Sequence, residues 1–256
     1  MSNSTIKFYD ITVAPAILGK GSSPNTLKTR MCLNYKGIPY QTVWVEYPDI
    51  EAVCKEIGAL PTGNLNASWG PYYTLPAIHD PSTGTILAES ALITEYLDDT
   101  YPDTPKLFPP GTRALQLAFI DAFMSKLGSM WQFILPLGYP YLSPRSQEFY
   151  RKTREAWFGK KLEDIVPTGQ KREEEWAKVK VGFDAIDTWF KKANTEGGPY
   201  LLGANIAFAD IVVASFLLFF RQILGEVSPE WTDINAWSEG RWEAYLQRFE
   251  SFKIIT

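Results

Sequence analysis

Hydrophobic residues have strand-like spacing near the start of the chain and a helical period through most of the remainder. The apolar residues of 6–13 and the alternation of 40–46 predict two strands, and a helical repeat over residues 24–37 predicts a helix between them. On that helix Lys28, Arg30, Asn34 and Lys36 are predicted to lie opposite the apolar residues. Two strands joined through a helix favour a parallel pair in a βαβ unit.

A proline inside a β-rich run is the most informative feature of residues 71–90. Pro76 would remove a donor from a central strand, which strands normally do not tolerate. The conflict is resolved if a short strand begins after a cis Leu75–Pro76 bond, with the Leu75 backbone turned toward a ligand. Residues 80–84 then predict a hairpin turn, residues 85–88 the returning strand, and residues 91–99 a helix. This order of elements is that of a thioredoxin-like α/β domain.

The second half of the chain has no convincing strand pattern. Residues 102–111 contain four prolines and predict a stiff linker. Helical spacing follows over residues 112–135, 144–165, 171–192, from about 208, and 237–249. We therefore predict a thioredoxin-like domain over residues 1–101, a linker over 102–111 and an all-helical domain over 112–256.

Composition and charge exclude several functions. The formal net charge of −4 and the lack of a basic cluster argue against nucleic acid binding. The apolar window of residues 211–220 is shorter than the roughly 20 residues that span a bilayer, so we expect no membrane partner. The N-terminal residues lack a secretory signal pattern, so we expect a cytosolic protein. Cys32, Cys54 and the single His79 do not have the spacing of a metal site or a disulfide framework, so no metal is predicted. The aromatic content of 14% fits either a large core or a site for flat apolar ligands.

Ser23 and Pro24 stand where the first helix begins. Proline suits the first helical position and serine suits the N-cap, so the pair predicts a capped helix. The same serine hydroxyl lies at the positive end of the helix dipole, where an anion is stabilised. Taken alone, the pair is more typical of a cap than of a catalytic group.

Four motifs in order resemble the soluble glutathione transferases over nearly the whole chain. They are Ser23-Pro24 with Thr29-Arg30 and Lys36-Gly37-Ile38, Leu75-Pro76-Ala77-Ile78, Glu89-Ser90, and Tyr200-Leu201-Leu202-Gly203 leading to Ala209-Asp210-Ile211. The extended sequence Gly-Ser-Ser-Pro-Asn-Thr of residues 21–26 resembles the fungal, etherase-related FuA class.

The resemblance implies glutathione as co-substrate, a homodimer, and a set of site residues. Ser23 would contact the glutathione sulfur, with Ser22 as the alternative. The Leu75 backbone beside Pro76 would bind the cysteinyl unit. The implied glutathione-binding residues are Ser23, Leu75, Pro76, Glu89 and Ser90, the last two holding the γ-glutamyl end.

Elementary thiol chemistry agrees with those roles. The thiolate is the nucleophile, and a free thiol has a pKa near 8.5. A hydrogen bond to a charged group contributes about 1.5–3 kcal/mol and a helix dipole about 0.3–1 kcal/mol, enough to ionise most bound thiol without a separate base. The lack of cysteine at position 23 counts against thiol–disulfide exchange.

Two departures from the family pattern stand out. Ala207 occupies the position where many relatives cap the following helix with Ser or Thr, and we expect this weaker cap to cost about 1 kcal/mol. No lysine or arginine stands just before Leu75 for the glycyl carboxylate, which leaves its partner unassigned.

Three functions follow from the sequence. The first is a transferase that uses glutathione to attack hydrophobic, aromatic electrophiles, with Asn25, Phe123 and Met130 at the hydrophobic substrate site. The class resemblance suggests wood-derived phenolics as substrates, and detoxification, ether cleavage or peroxide reduction as the role. The second is a binding protein that sequesters aromatic or phenolic compounds without catalysis. The third is a thioredoxin-like interaction module that does not bind glutathione.

Overall fold

A four-stranded mixed sheet forms the N-terminal part of the fold in the computed structural model, which describes residues 5–12, 23–64, 71–193 and 198–254. The strands are β1 (Ile6–Ile11), β2 (Tyr40–Val45), β3 (Gly63–Asn64), β4 (Pro71–Tyr72), β5 (Ala77–Asp80) and β6 (Thr85–Ala88). The sheet order is β2-β1-β5-β6, with β1 parallel to β2 and antiparallel to β5, and β3 pairs with β4 separately. Ser22, the alternative to Ser23, and the predicted end of the first strand at Val13 lie outside the described residues.

Ten α-helices complete the part of the chain that the structure describes. They are α1 (Pro24–Lys36), α2 (Ile50–Ile57), α3 (Ser90–Thr100), α4 (Arg113–Lys126), α5 (Trp131–Gly138), α6 (Pro144–Phe158), α7 (Gly169–Ala193), α8 (Phe208–Leu224), α9 (Pro229–Ala236) and α10 (Arg241–Gln247). The predicted fold class, a thioredoxin-like N-terminal domain followed by an all-helical one, is confirmed. Within the described residues, no helix is both long and apolar enough to span a bilayer.

The cis bond predicted between Leu75 and Pro76 is present, and β5 begins directly after it. The hairpin and the returning strand follow as predicted. The Pro76 carbonyl then accepts a hydrogen bond from the Glu89 N–H at 3.3 Å. This contact connects the proline turn to the start of α3.

Helix α1 is buried on more sides than its sequence pattern predicts. Lys28, Arg30 and Lys36, predicted to lie opposite the apolar face, are 8%, 0% and 4% exposed. The Arg30 guanidinium lies 2.7 Å from the Asp10 carboxylate, and Lys36 lies 2.6 Å from Asp98. The prediction is wrong for these three residues because α1 packs between the sheet and α8, where its charges are paired or surrounded by rings rather than hydrated.

The helix predicted over residues 112–135 is two helices. A 3₁₀ turn at Gly128–Met130 separates α4 from α5, and Leu127 before it has non-helical ψ near 2°. Glycine has low helical propensity, and a 3₁₀ segment is a common way to end one helix and redirect the chain. The apolar side chains of this stretch are therefore divided between two packing surfaces.

Two other helix predictions differ from the structure. The helix predicted over residues 144–165 ends at Phe158, because Gly159 adopts a left-handed conformation with φ 64°. The helix predicted over 237–249 is reduced to α10, and the preceding α9 was missed although Ser228 caps it and Pro229 begins it. Local turn chemistry determines these ends more strongly than the apolar repeat.

The first turn of α8 receives its hydrogen-bond acceptors from other parts of the chain. Ala207 has no side-chain acceptor, but the Phe208 N–H donates to the Leu107 carbonyl at 3.0 Å. The Ala209 N–H donates to the Gln116 side-chain oxygen of α4 at 2.9 Å. The weaker cap expected at Ala207 is thus compensated by α4 and the segment before it, which also fixes α8 against α4.

Gln116 is 1% exposed, and its amide nitrogen donates to the Leu107 carbonyl at 3.1 Å. We expect Gln116→Ala to lower the free energy of unfolding by about 1–3 kcal/mol, because it leaves the buried Ala209 N–H and the Leu107 carbonyl with fewer partners. Urea denaturation measures the change. The exposed Gln170, which donates to Glu174, is the matched control, and Gln170→Ala is expected to change stability by less than about 0.5 kcal/mol. Equal small losses in both variants would contradict the capping role of Gln116.

Candidate active site and adjoining cavity

Ser23 lies at the N-terminus of α1 with its backbone extended, at φ −147° and ψ 135°. Its Oγ accepts a hydrogen bond from the Asn25 N–H at 3.2 Å, so the serine is the predicted N-cap. It is 8% exposed and lines a large cavity. Among the described residues no protein group accepts the hydroxyl proton. The side chain can therefore cap the helix and donate to an anion at the same time.

Leu75, before the cis proline, lines the same cavity as Ser23. In the part of the chain that the structure describes, no protein group hydrogen-bonds to the Leu75 N–H or carbonyl. An extended peptide could pair with this short stretch of free backbone in the manner of an added strand.

Glu89 caps the helix α3 from a left-handed conformation with φ 83°. Its carboxylate accepts hydrogen bonds from the Ala91 and Leu92 N–H groups at 3.0 and 3.1 Å, and from the Ser90 hydroxyl at 3.2 Å. The Glu89 carboxylate therefore already binds two of the N–H groups at the start of α3.

Lys28 is a buried cation of this region that the sequence did not reveal. Its Nζ donates to the Asn25 side-chain oxygen at 2.9 Å and lies 5.1 Å from the centre of the Phe216 ring. Burial lowers the pKa of Lys28 to about 8, and the Glu89 carboxylate acts in the opposite direction. Lys28 lines a second, smaller pocket together with Glu89 and Ser90. It thereby connects the turn that carries Ser23 with the start of α3.

The main cavity has a volume of about 620 Å³ and lies between the N-terminal part and the helices α5, α6 and α8. The residues from the N-terminal part include Ile11, Ser23, Pro24, Asn25, Tyr47, Pro48, Ile50, Glu51, Tyr72, Tyr73, Thr74 and Leu75. The helices and the connection between α5 and α6 contribute mostly aromatic and aliphatic side chains, including Trp131, Leu135, Tyr141, Leu142, Phe149, Tyr150, Trp157, Phe158, Phe219 and Ile223. A pocket of this size and lining suits a small, flat, apolar ligand.

The three residues predicted at the hydrophobic substrate site do not lie together. Asn25 lines the cavity beside Ser23, whereas Phe123 and Met130 are 2% and 1% exposed in the hydrophobic core and do not line it. The turn after α4 is the reason, because it leaves Phe123 packed on Phe216 at 5.6 Å between ring centres. Trp131 and Leu135 of α5 line the cavity instead.

Polar contacts hold α6 against the segment between β2 and α2. The Glu46 carboxylate accepts from Ser143 Oγ at 2.5 Å and from Ser146 Oγ, and Arg145 binds Asp49 at 2.6 Å. Ser146 Oγ also accepts from the Tyr47 N–H at 3.1 Å. These contacts fix the distance between two sides of the cavity.

Neither cysteine is placed as a nucleophile. Cys32 and Cys54 are both buried, and burial raises the pKa of the Cys32 thiol to about 12. Within the described ranges, no group of three or more His, Cys, Asp or Glu side chains is placed to hold a metal ion.

Comparison with known proteins gives consistent matches over both parts of the chain. Family models of the glutathione S-transferase N-terminal and C-terminal domains match residues 22–100 and 114–252. The glutathione S-transferase-like protein ustS of Aspergillus flavus is 32% identical over 261 residues, which cover 96% of this chain and 92% of that protein.

Solved structures of fungal enzymes are similar over almost their full length. A glutathione S-transferase of Ceriporiopsis subvermispora in complex with glutathione is 45% identical with a TM-score of 0.88, covering 98% of this chain and 99% of that one. Glutathione transferase GSTFuA3 from Phanerochaete chrysosporium is 41% identical with a TM-score of 0.90, covering 98% of each chain. This chain therefore belongs to the glutathione S-transferase family, and it is similar to the fungal FuA members of that family.

Proposed function

We propose that this transferase uses the Ser23 hydroxyl to stabilise the thiolate of glutathione for attack on hydrophobic, aromatic electrophiles. The observation that carries the proposal is the position of Ser23. Its hydroxyl lines the aromatic cavity from the first turn of α1, and its proton has no acceptor among the described residues.

The electrostatics of the α1 N-terminus favour a thiolate there. Helix α1 has 13 residues, and the positive end of its dipole lies at Ser23. A hydrogen bond from Ser23 to the charged sulfur would contribute about 1.5–3 kcal/mol, equivalent to roughly one or two pKa units. Lys28, bound to Asn25 on the same turn, adds positive charge nearby. The thiol proton would leave to solvent, and no protein base is needed.

The remaining glutathione contacts would come from the Leu75 backbone and the start of α3. The unpaired Leu75 backbone would bind the cysteinyl unit, and Glu89 and Ser90 would bind the γ-glutamyl end. Glutathione in the similar Ceriporiopsis subvermispora structures supports this assignment of the co-substrate.

The reaction is a nucleophilic substitution or addition by sulfur. The thiolate forms a carbon–sulfur bond with the electrophile, and in a substitution the leaving group departs with the electron pair of the broken bond. Ether cleavage is the same step with an oxygen leaving group that takes its proton from water. In peroxide reduction the thiolate attacks a peroxide oxygen, and the O–O bond breaks with release of an alcohol. A second glutathione then attacks the sulfenic acid left on the first, which forms the disulfide and releases water.

The direct test of this proposal is the pKa of the bound thiol. We expect the thiol of glutathione bound to the wild-type protein to titrate at least one pH unit below that of free glutathione, because both Ser23 and the helix dipole favour the anion. The ultraviolet absorbance of the thiolate, recorded against pH with and without protein, measures the shift. An unshifted thiol pKa at saturating protein would contradict the proposal.

The second candidate is a binding protein for aromatic compounds in which catalysis is weak or absent. The observation that favours it is the cavity itself, whose helical side carries Trp131, Tyr141, Phe149 and Trp157. Micromolar binding of aromatic compounds without turnover of any electrophile would support it. The predicted homodimer and the cytosolic location stay predictions.

A further inference from the structure

Arg154 of α6 is a buried cation in the aromatic part of the main cavity. It is 8% exposed, and its guanidinium carbon lies 4.1 Å from the Trp157 ring centre and 4.3 Å from the Tyr150 ring centre. The Tyr47 ring, from the segment between β2 and α2, lies 5.7 Å away. Three aromatic rings therefore surround one positive charge.

The Arg154 charge has no carboxylate partner among the described residues. One terminal nitrogen donates to Thr153 Oγ1 at 2.9 Å, and the Nε is buried without any acceptor. Two carboxylates on the segments that carry Arg154 and Tyr47 are already occupied. Glu155 accepts from Arg151 and from the Leu162 N–H, both at 3.0 Å. Glu46 accepts from the Ser143 and Ser146 hydroxyls.

Gln222 of α8 lines the same cavity and carries a second unsatisfied donor. Its amide nitrogen Nε2 is buried and has no hydrogen-bond partner in the part of the chain that the structure describes. Arg154 and Gln222 come from different helices, and both line this cavity. The acid that lines it, Glu51, is exposed and paired with Lys55 at 2.6 Å.

Two buried donors without acceptors are unfavourable in an apolar cavity unless a ligand binds them. The ring faces stabilise the guanidinium charge but supply no hydrogen-bond acceptor to Nε. A carboxylate would supply both negative charge and acceptor oxygens, and the surrounding rings would pack on a flat apolar body.

We infer that this cavity binds aromatic carboxylates, with the carboxylate on Arg154 and Gln222 and the aromatic body against the rings of α5 and α6. The inference rests on the proposed function in one respect, since it names the substrate class of the cavity beside Ser23. The competing explanation is that Arg154 only holds the rings of Tyr150 and Trp157 in place.

Calorimetric binding of 2-naphthoate and 2-naphthamide to the full chain, without glutathione, separates these explanations. The two probes have nearly the same shape, but only the first is anionic at neutral pH. We expect the wild type to bind 2-naphthoate at least tenfold more tightly than 2-naphthamide. Arg154→Gln is expected to weaken 2-naphthoate binding at least tenfold and to leave 2-naphthamide binding within threefold. Lys152→Gln, which removes an exposed charge from the same helix, is the control and is expected to change neither.

A second variant keeps the inference testable if Arg154→Gln does not fold. Gln222→Glu conserves shape and adds a negative charge, so 2-naphthoate binding is expected to weaken at least tenfold while 2-naphthamide binding is unchanged. Equal binding of the two probes to the wild type, parallel loss of both in the Arg154 variant, or no binding of either would overturn the inference. The thiol pKa of bound glutathione tests the serine chemistry without any naphthalene probe, so a failure of that chemistry is distinguishable from a failure of carboxylate binding.

Discussion

Replacement of Ser23 by alanine is expected to lower kcat/KM for glutathione conjugation by about 10- to 100-fold. The loss corresponds to a charge-assisted hydrogen bond of about 1.5–3 kcal/mol that is present when the sulfur is anionic. The thiol pKa of bound glutathione should rise in the same variant, because only the helix dipole and the Lys28 charge remain to stabilise the anion. Initial rates with an aromatic electrophile such as chlorodinitrobenzene, combined with the thiolate absorbance, measure both effects.

The loss of the helix cap must be separated from the loss of chemistry. Because Ser23 Oγ accepts from the Asn25 N–H, Ser23→Ala also removes a cap that contributes about 1 kcal/mol to stability. Ser23→Asp keeps a capping acceptor but cannot donate to a thiolate, so it is expected to retain stability and lose the rate. Ser125→Ala, an exposed serine of α4, is the matched control. A rate within twofold of the wild type in both Ser23 variants would remove Ser23 from the mechanism.

Asp210→Ala is expected to lower the free energy of unfolding by about 3–5 kcal/mol at neutral pH. The Asp210 carboxylate is 0% exposed and accepts from the Leu201 and Ala207 N–H groups at 2.8 and 2.9 Å and from the Tyr245 hydroxyl at 2.8 Å. Its removal leaves three donors without this acceptor, and the two that are fully buried each cost about 1–3 kcal/mol before relaxation. Urea denaturation measures the loss.

The effect of Asp210 should also depend on pH. Burial raises the pKa of this carboxyl from 3.8 to about 6, although its three hydrogen bonds act in the opposite direction. Between pH 4 and 6 the folded protein therefore binds a proton that the unfolded chain has released, so its stability falls as the pH rises through this range. Relative to Asp210→Asn, which does not titrate, the wild type should lose about 2 kcal/mol between pH 4 and 7.

The control for these measurements is Asp184→Ala, an exposed aspartate of α7 that pairs with Lys180. It is expected to change stability by less than about 0.5 kcal/mol at either pH. A stability difference between wild type and Asp210→Asn that is constant with pH would contradict the raised pKa.

The sequence predicted the N-terminal fold well because its signals are local. Pro76 in a β-rich run indicated the cis bond, and Ser23 before Pro24 indicated the start of α1, and both are present. The turn at Gly128 is also local, yet the apolar repeat continues through it and masks it. Periodicity predicts which residues are apolar, but not where a helix ends.

The features that sequence could not supply depend on distant contacts. Lys28 has the sequence context of a solvated lysine, and it is buried because α8 covers α1. Gln116 and Ala209 lie far apart in sequence and meet only when α4 packs beside α8. Arg154 resembles any arginine of a charged helix, and its missing acceptor is visible only when the rings around it are in place. Such tertiary effects override local propensity.

The 3₁₀ turn between α4 and α5 has an evolutionary consequence. Because the turn gives Phe123 to the core and Leu135 to the cavity, substitutions in α5 can alter ligand preference while α4 keeps its packing. We expect related enzymes to diverge more at Trp131 and Leu135, which line the cavity, than at Phe123 and Met130 of the core. The same apolar stretch would then contain conservative and adaptable positions, so that new specificities arise without a new fold.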